Sequence, residues 1–186
     1  LSPLTVGSYL SALRQFYSWT EQSLYYPNIA RSVRAPRSKK GFHKSALNAE
    51  QVIQMLDYLK QRSLRNYAMV NLIVRTGLRT IDVKDITFKR GKRVLQVWGK
   101  GMTGKDSLVI LNDPAWEPIK EYLATRKGVK GTEPLFVTDG KGHRGARLST
   151  RSIQDICKQA LRAIGLDSHE FSAHSLRHSC AVMLIK

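Results

Sequence analysis

Between residues 4 and 19, Val6, Tyr9, Leu10, Leu13, Phe16 and Tyr17 fall three and four apart. That spacing lines up side chains on one face of a helix. Ser2-Pro3 suits its start, because proline is tolerated in the first turn. Pro27-Asn28 breaks the pattern, and Ile29-Ala30 reads as a short closing turn. One helix and a turn cannot bury their own apolar faces. A second pattern opens at Leu47, where Asn48 and Gln51 have the spacing of a capping box ahead of Val52, Ile53, Leu56 and Leu59. The next helix, from about Leu64 to Thr76, is apolar over Ala68-Met69-Val70 and Leu72-Ile73-Val74 and is expected at the centre of the domain. Gly77 suits its C-terminal cap.

From Asp85 to Leu111 the period moves toward two. Turns at Arg90-Gly91 and from Gly99 to Gly104 separate strands at about 86–89, 93–98 and 106–111, which predicts a three-stranded antiparallel sheet. Asp113-Pro114 then starts a helix with Trp116, Ile119, Tyr122 and Leu123. Residues 126–147 read as a long basic loop around Leu135-Phe136-Val137. Ser149 caps a helix whose apolar face is Ile153, Ile156, Cys157, Ala160, Leu161 and Ile164, and Gly165 ends it. A last helix begins near Ser172. No internal repeat or low-complexity tract is visible, and the class is mainly α (α+β).

Charge changes this picture. Lysine and arginine outnumber acids 31 to 14, for a formal net charge of +17 on 186 residues. The acids are unevenly placed: residues 1–49 hold only Glu21. Across 31–46, Arg31, Arg34, Arg37, Lys39, Lys40 and Lys44 form an aperiodic basic linker, expected to strap onto DNA phosphates without reading sequence. Such a balance favours nucleic acid over an anionic membrane. No apolar run approaches the ~18 residues of a membrane span, and no secretory signal is visible. Cys157 and Cys180 fall on apolar helix faces and read as buried thiols in a reducing compartment. A zinc pattern is lacking, since His169-Glu170 is wrongly spaced to join His174 in a metalloprotease motif. His178 reads as structural.

Chemistry concentrates near the C-terminal end, in His174-Ser175-Leu176-Arg177-His178. His174 and Arg177 share a helix face. A guanidinium forks onto two phosphate oxygens, and an imidazole moves a proton near neutral pH. Upstream stand Thr76-Gly77-Leu78-Arg79-Thr80-Ile81-Asp82 and Gly99-Lys100-Gly101. Arg, Lys and His-x-x-Arg, in this order over nearly the whole chain, resemble the tyrosine recombinase (phage integrase) family.

The resemblance implies a fold and a set of roles. Residues 1–30 would be the later part of a helical core-binding domain, ending at Asn28-Ile29-Ala30. Residues 31–46 would be the linker, and 47–186 the catalytic domain. Arg79 and Arg177 would clamp the scissile phosphate, with Asp82 supporting Arg79. Lys100 would protonate the leaving oxygen, with Lys105 as the alternative because the segment after Gly101 departs from the family spacing. His174 would transfer protons. Lys105, Arg144, Arg147 and Arg151 join the linker cations as expected DNA contacts. These roles suit the reaction: a five-coordinate phosphorus gathers charge on its non-bridging oxygens, where fixed donors stabilise it, and the 5′-oxygen needs a proton to leave.

The family's nucleophile is a tyrosine that follows His-x-x-Arg by several tens of residues. Here Tyr9, Tyr17, Tyr25, Tyr26, Tyr58, Tyr67 and Tyr122 all precede that motif. The expectation is a chain truncated at both ends, with clamps but no attacking group. Its parent would cut and rejoin duplex DNA through a 3′-phosphotyrosine, as a homotetramer, without metal or other cofactor. Its expected setting is the cytoplasm, on the nucleoid of a bacterium or encoded by a phage, and integration or excision of a mobile element is favoured over chromosome-dimer resolution. The alternatives are a type IB topoisomerase and a non-catalytic DNA-binding relative.

Overall fold

The computed structural model describes residues 1–37, 45–86, 93–97, 107–126, 133–140 and 144–185. It divides into two compact units, Leu1–Phe42 and His43–Lys186. In the first, α1 runs Pro3–Leu24, with the Ser2 hydroxyl accepting the Thr5 N–H at 3.2 Å. It extends beyond the 4–19 pattern because Trp19 and Thr20 continue the turn and Tyr25, in a left-handed conformation at φ 55°, closes it. Arg14 and Asn28 then stitch the return segment onto α1. Arg14 Nε donates to the Ala30 carbonyl at 3.3 Å, and Asn28 Nδ2 donates to the Arg14 carbonyl at 3.2 Å. Asn28 Oδ1 also accepts the Ala30 N–H at 3.2 Å. On α1 itself only Leu10 and Thr20 are buried, while Tyr9, Leu13, Phe16 and Trp19 remain exposed.

In the second unit, α2 (Ala49–Arg62) opens on a complete capping box. Asn48 Oδ1 accepts the Gln51 N–H at 2.8 Å, and Gln51 Oε1 accepts the Asn48 N–H at 3.0 Å. α3 (Leu64–Thr76) is apolar on nearly every side because it is packed by α2, α5 (Asp113–Ala124) and α7 (Ala173–Ile185). Its run from Ala68 to Val74 is at most 2% exposed, so it forms the centre of the core. Removing a large side chain such as Leu72 from such a site costs about 2–5 kcal/mol. The polar exception is Asn71, whose amide donates to the Pro114 carbonyl at 2.8 Å and so ties α3 to α5.

Strands β1 (Val94–Val97) and β2 (Ser107–Ile110) pair antiparallel with Val94 opposite Ile110. The first of the three expected strands lies outside the described residues apart from Ile86, whose carbonyl accepts the Leu135 N–H at 3.0 Å. The segment around Leu135 is held by two arginines. Arg126 donates to the Pro134 and Leu135 carbonyls at 2.9 and 2.8 Å, and Arg65 to the Val137 carbonyl at 2.8 Å. Tyr122 stacks on Phe136 beneath them, with ring centroids 5.7 Å apart.

α4 (Thr80–Asp85) and α6 (Thr150–Ala163) pack together and complete the unit. Cys157 on α6 is fully buried, and burial pushes its thiol up to about 12. The thiolate is the reactive form. Native protein at pH 8 should therefore leave Cys157 unmodified by a disulfide reagent over hours, with prompt reaction after unfolding. Mass mapping of the labelled cysteine reads this out, and native labelling at Cys157 would contradict the packing.

Candidate active site

Gly77 closes α3 in a left-handed conformation, φ 64°, and its N–H donates to the Ile73 carbonyl at 2.8 Å. A methyl group there would meet Cys180 Sγ at 3.5 Å and Arg177 Cγ at 3.9 Å, which is ordinary contact. The position calls for glycine because of its φ, for which a side chain costs roughly 1–2 kcal/mol. Buried Leu78 anchors the turn, and Arg79 follows as the extended residue that caps α4. Asp82, 6% exposed, accepts the Arg79 N–H on Oδ2 at 3.0 Å. The same oxygen lies 4.0 Å from Arg79 NH1, so one carboxylate caps the helix and attracts the guanidinium, which stays 41% exposed.

α7 brings the second group. Ser175, fully buried, accepts the Ser172 N–H at 3.1 Å and donates to the Glu170 carbonyl at 2.9 Å, which fixes the first turn. One turn on, buried Ser179 donates to the Ser175 carbonyl at 2.8 Å and accepts the Leu47 N–H at 2.7 Å. Ser45 donates to the Glu170 carboxylate at 3.2 Å. The start of this unit is thereby fastened to α7. With the buried side locked, His174 is left exposed and Arg177 half-buried beside Gly77. Burial pushes the Cys180 thiol up, and the Arg177 charge partly opposes that shift. His174 and His178 meet edge to face with centroids 5.1 Å apart, and His178 is exposed as well.

These elements enclose a cleft of about 560 Å³ lined by Arg79, His174 and Arg177. Three of the four expected catalytic residues therefore come together from α4 and α7. The fourth, Lys100, lies outside the described residues, as do Lys105, Lys39, Lys40 and Lys44. Arg34, Arg37 and Arg144 are exposed. Arg31 is exposed too and pairs with Glu21 at 2.5 Å. Arg151 lines the cleft, 82% exposed, 3.2 Å from Asp155. Arg147 is engaged within the fold, donating from NH1 to the Lys84 carbonyl at 2.6 Å.

The cleft also holds His169, weighed above only as a metal ligand, and Gln154, Asp155 and Lys158, to which the sequence assigns no role. Arg151, Gln154, Asp155 and Lys158 recur at three, four and seven, the polar counterpart of the α6 apolar stripe, and that periodicity was the available signal. Among the described residues, no three His, Cys, Asp or Glu side chains are grouped to hold a metal ion. No described helix is long and apolar enough to cross a membrane. The arrangement can do one thing well. Two guanidinium groups, one fixed at a helix start and one on the first turns of another helix, can grip an anion from two directions beside an exposed imidazole.

Comparison with known proteins identifies the family and the fold. The sequence model of the Phage integrase family matches residues 45–186. The tyrosine recombinase XerC of Actinobacillus pleuropneumoniae serotype 7 is 31% identical over 192 residues, spanning 100% of this chain and 60% of that protein. XerD of Caulobacter vibrioides is 31% identical over 199 residues, spanning 100% of this chain and 63% of its own length. The chain thus spans about three-fifths of the length of these relatives. In fold it is similar to the XerH site-specific recombinase bound to palindromic difH substrate, with a TM-score of 0.70 at 24% identity over 99% of this chain and 57% of that one. The Tn1549 transposon integrase in complex with transposon right end DNA gives a TM-score of 0.74 at 15% identity, over 100% of this chain and 67% of that one. With the family match running from residue 45 to 186, and Arg79, His174 and Arg177 lining one cleft within it, the chain belongs to the phage integrase family of tyrosine recombinases.

Proposed function

We propose that this chain supplies the phosphate-gripping part of a site-specific recombinase that cuts and rejoins duplex DNA through a 3′-phosphotyrosine. The observation that carries the reading is the convergence of Arg79, His174 and Arg177 on one cleft. Arg79 and Arg177 hold the two non-bridging oxygens of the scissile phosphate, where charge grows in the transition state. His174 exchanges the proton of the attacking group, and Lys100 delivers one to the leaving 5′-oxygen. Asp82 keeps Arg79 in place. The exposed linker arginines Arg34 and Arg37 bind flanking phosphates together with Lys39, Lys40 and Lys44. Residues 1–30 serve as the end of a core-binding domain. The working assembly is a homotetramer on two duplexes, acting in the cytoplasm, and its use is integration or excision of a mobile element. Two cysteines without a disulfide suit that compartment.

None of the seven tyrosines follows Arg177. The reading assigns the nucleophile to a tyrosine outside residues 1–186, supplied in cis or from a neighbouring protomer. Mixing this chain with a longer relative that carries the tyrosine but has its own second clamp arginine substituted tests this. The chain alone should bind labelled duplex DNA and form no adduct that survives denaturation, whereas the mixture should cleave. A denaturation-resistant adduct on the chain alone would overturn the assignment. Binding with no cleavage in any mixture would favour a non-catalytic DNA-binding relative.

A further inference from the structure

We propose that Lys158 is a positioning residue for this cleft, holding the segment between α6 and α7 in the conformation that aims His174 and Arg177 at the phosphate gripped by Arg79. The inference rests on the phosphate-clamp reading above. Lys158 lines the cleft, which would ordinarily mark it as one more phosphate contact. Its hydrogen bonds argue otherwise. The ammonium donates to the carbonyls of Asp167 at 2.7 Å, Ser168 at 2.8 Å and Phe171 at 3.2 Å. A lysine has three donors and no acceptor, so the three carbonyls take up its donors, and the Asp167 carboxylate adds a 3.4 Å charge contact to the same nitrogen. Charge-assisted bonds of this kind are roughly twice as strong as neutral ones.

The three carbonyls lie at both ends of one short loop, so the ammonium pinches it. Gly165, with φ 80°, starts the turn out of α6. Arg162 adds an outer tether to the Asp167 carboxylate at 2.6 Å. That bond, with a smaller part from Lys158, holds the Asp167 carboxyl below the ordinary carboxylate range. The far end of the loop passes directly into α7, where Ser175 ties the Glu170 carbonyl and Ser172 N–H to the first helical turn. A shift of the pinched loop is therefore a shift of the turn that carries His174. Arg151, two turns earlier on the same α6 stripe, makes the contrast: 82% exposed against 26% for Lys158, with its charge facing the cleft.

Two readouts separate positioning from phosphate contact and from general stability. In the wild-type chain, adding a saturating duplex should shift the His174 imidazole signals in NMR. K158M should shrink that shift about fivefold or more. The slope of log affinity against log salt should stay as in wild type, because no phosphate contact is lost. R151A should do the reverse, keeping the His174 shift and lowering the slope by about 0.9. A wild-type His174 response in K158M would overturn the inference, and so would a slope lowered as in R151A. If K158M unfolds at the assay temperature, K158Q, which keeps amide donors, is judged by the same two criteria. Failure of the underlying clamp reading is a different result: no His174 response to DNA in the wild-type chain.

Discussion

Raising the salt from about 50 mM to about 200 mM is expected to weaken duplex DNA binding by this chain about 10³–10⁵-fold. That range corresponds to roughly 6–10 neutralised phosphates, each releasing condensed counterions. The chain has cations to spare for such a footprint, with 31 lysines and arginines against 14 acids. Arg34, Arg37, Arg144 and Arg151 are exposed in addition to the two arginines of the cleft, Arg79 and Arg177. The Arg31–Glu21 pair is no obstacle, since both partners are solvent-accessible. Exposed pairs are worth at most about 1 kcal/mol and are readily exchanged for a phosphate. Fluorescence anisotropy with a labelled duplex at stepped salt measures the slope. A flat dependence, or no binding at the lowest salt, would remove DNA from the account.

Arg177 should show the largest effect on chemistry. In the tyrosine-supplied mixture, R177A is expected to slow covalent adduct formation about 10²–10³-fold, the typical loss when one preorganised oxyanion donor is removed. Duplex affinity should fall less than about tenfold, because one contact among many is lost. R177K should remain slow, since an ammonium cannot form the planar two-pronged contact. Single-turnover rates at saturating DNA make the comparison. An R177K rate within about threefold of wild type would mean that position 177 supplies only charge, against the bidentate role.

Features set by short sequence windows were legible in advance. The Asn48–Gln51 capping box, the Gly77 cap and the apolar helix from Leu64 to Thr76 each depend on neighbours within a few residues, and each is found. The His174 and Arg177 spacing likewise encodes a shared helix face. What escaped depends on distant backbone. Lys158 looks like any solvated lysine on an amphipathic helix until the 167–171 carbonyls fold back onto it. Arg147 reads as a loop cation of the same kind as Arg144. Its guanidinium bonds to Lys84, 63 residues away, and no local pattern marks that. The aromatic face of α1 was legible as a helix face, while its exposure was not.

The bond from the Leu47 N–H to Ser179 has a consequence for dissecting the gene. The second compact unit begins at His43, and a fragment trimmed toward α2 and its cap would start a few residues later. A product cut from a tag so that Leu47 is its first residue would replace a neutral amide by a charged amino group at a position 1% exposed, against a hydroxyl that is fully buried. Burying that charge costs far more than the one bond returns. The α-amino group would either shed its proton or pull away from α7, and the helix bearing His174 and Arg177 would lose its fastening. The shortest faithful fragment therefore begins at or before Ser45, which also keeps the hydroxyl that reaches Glu170.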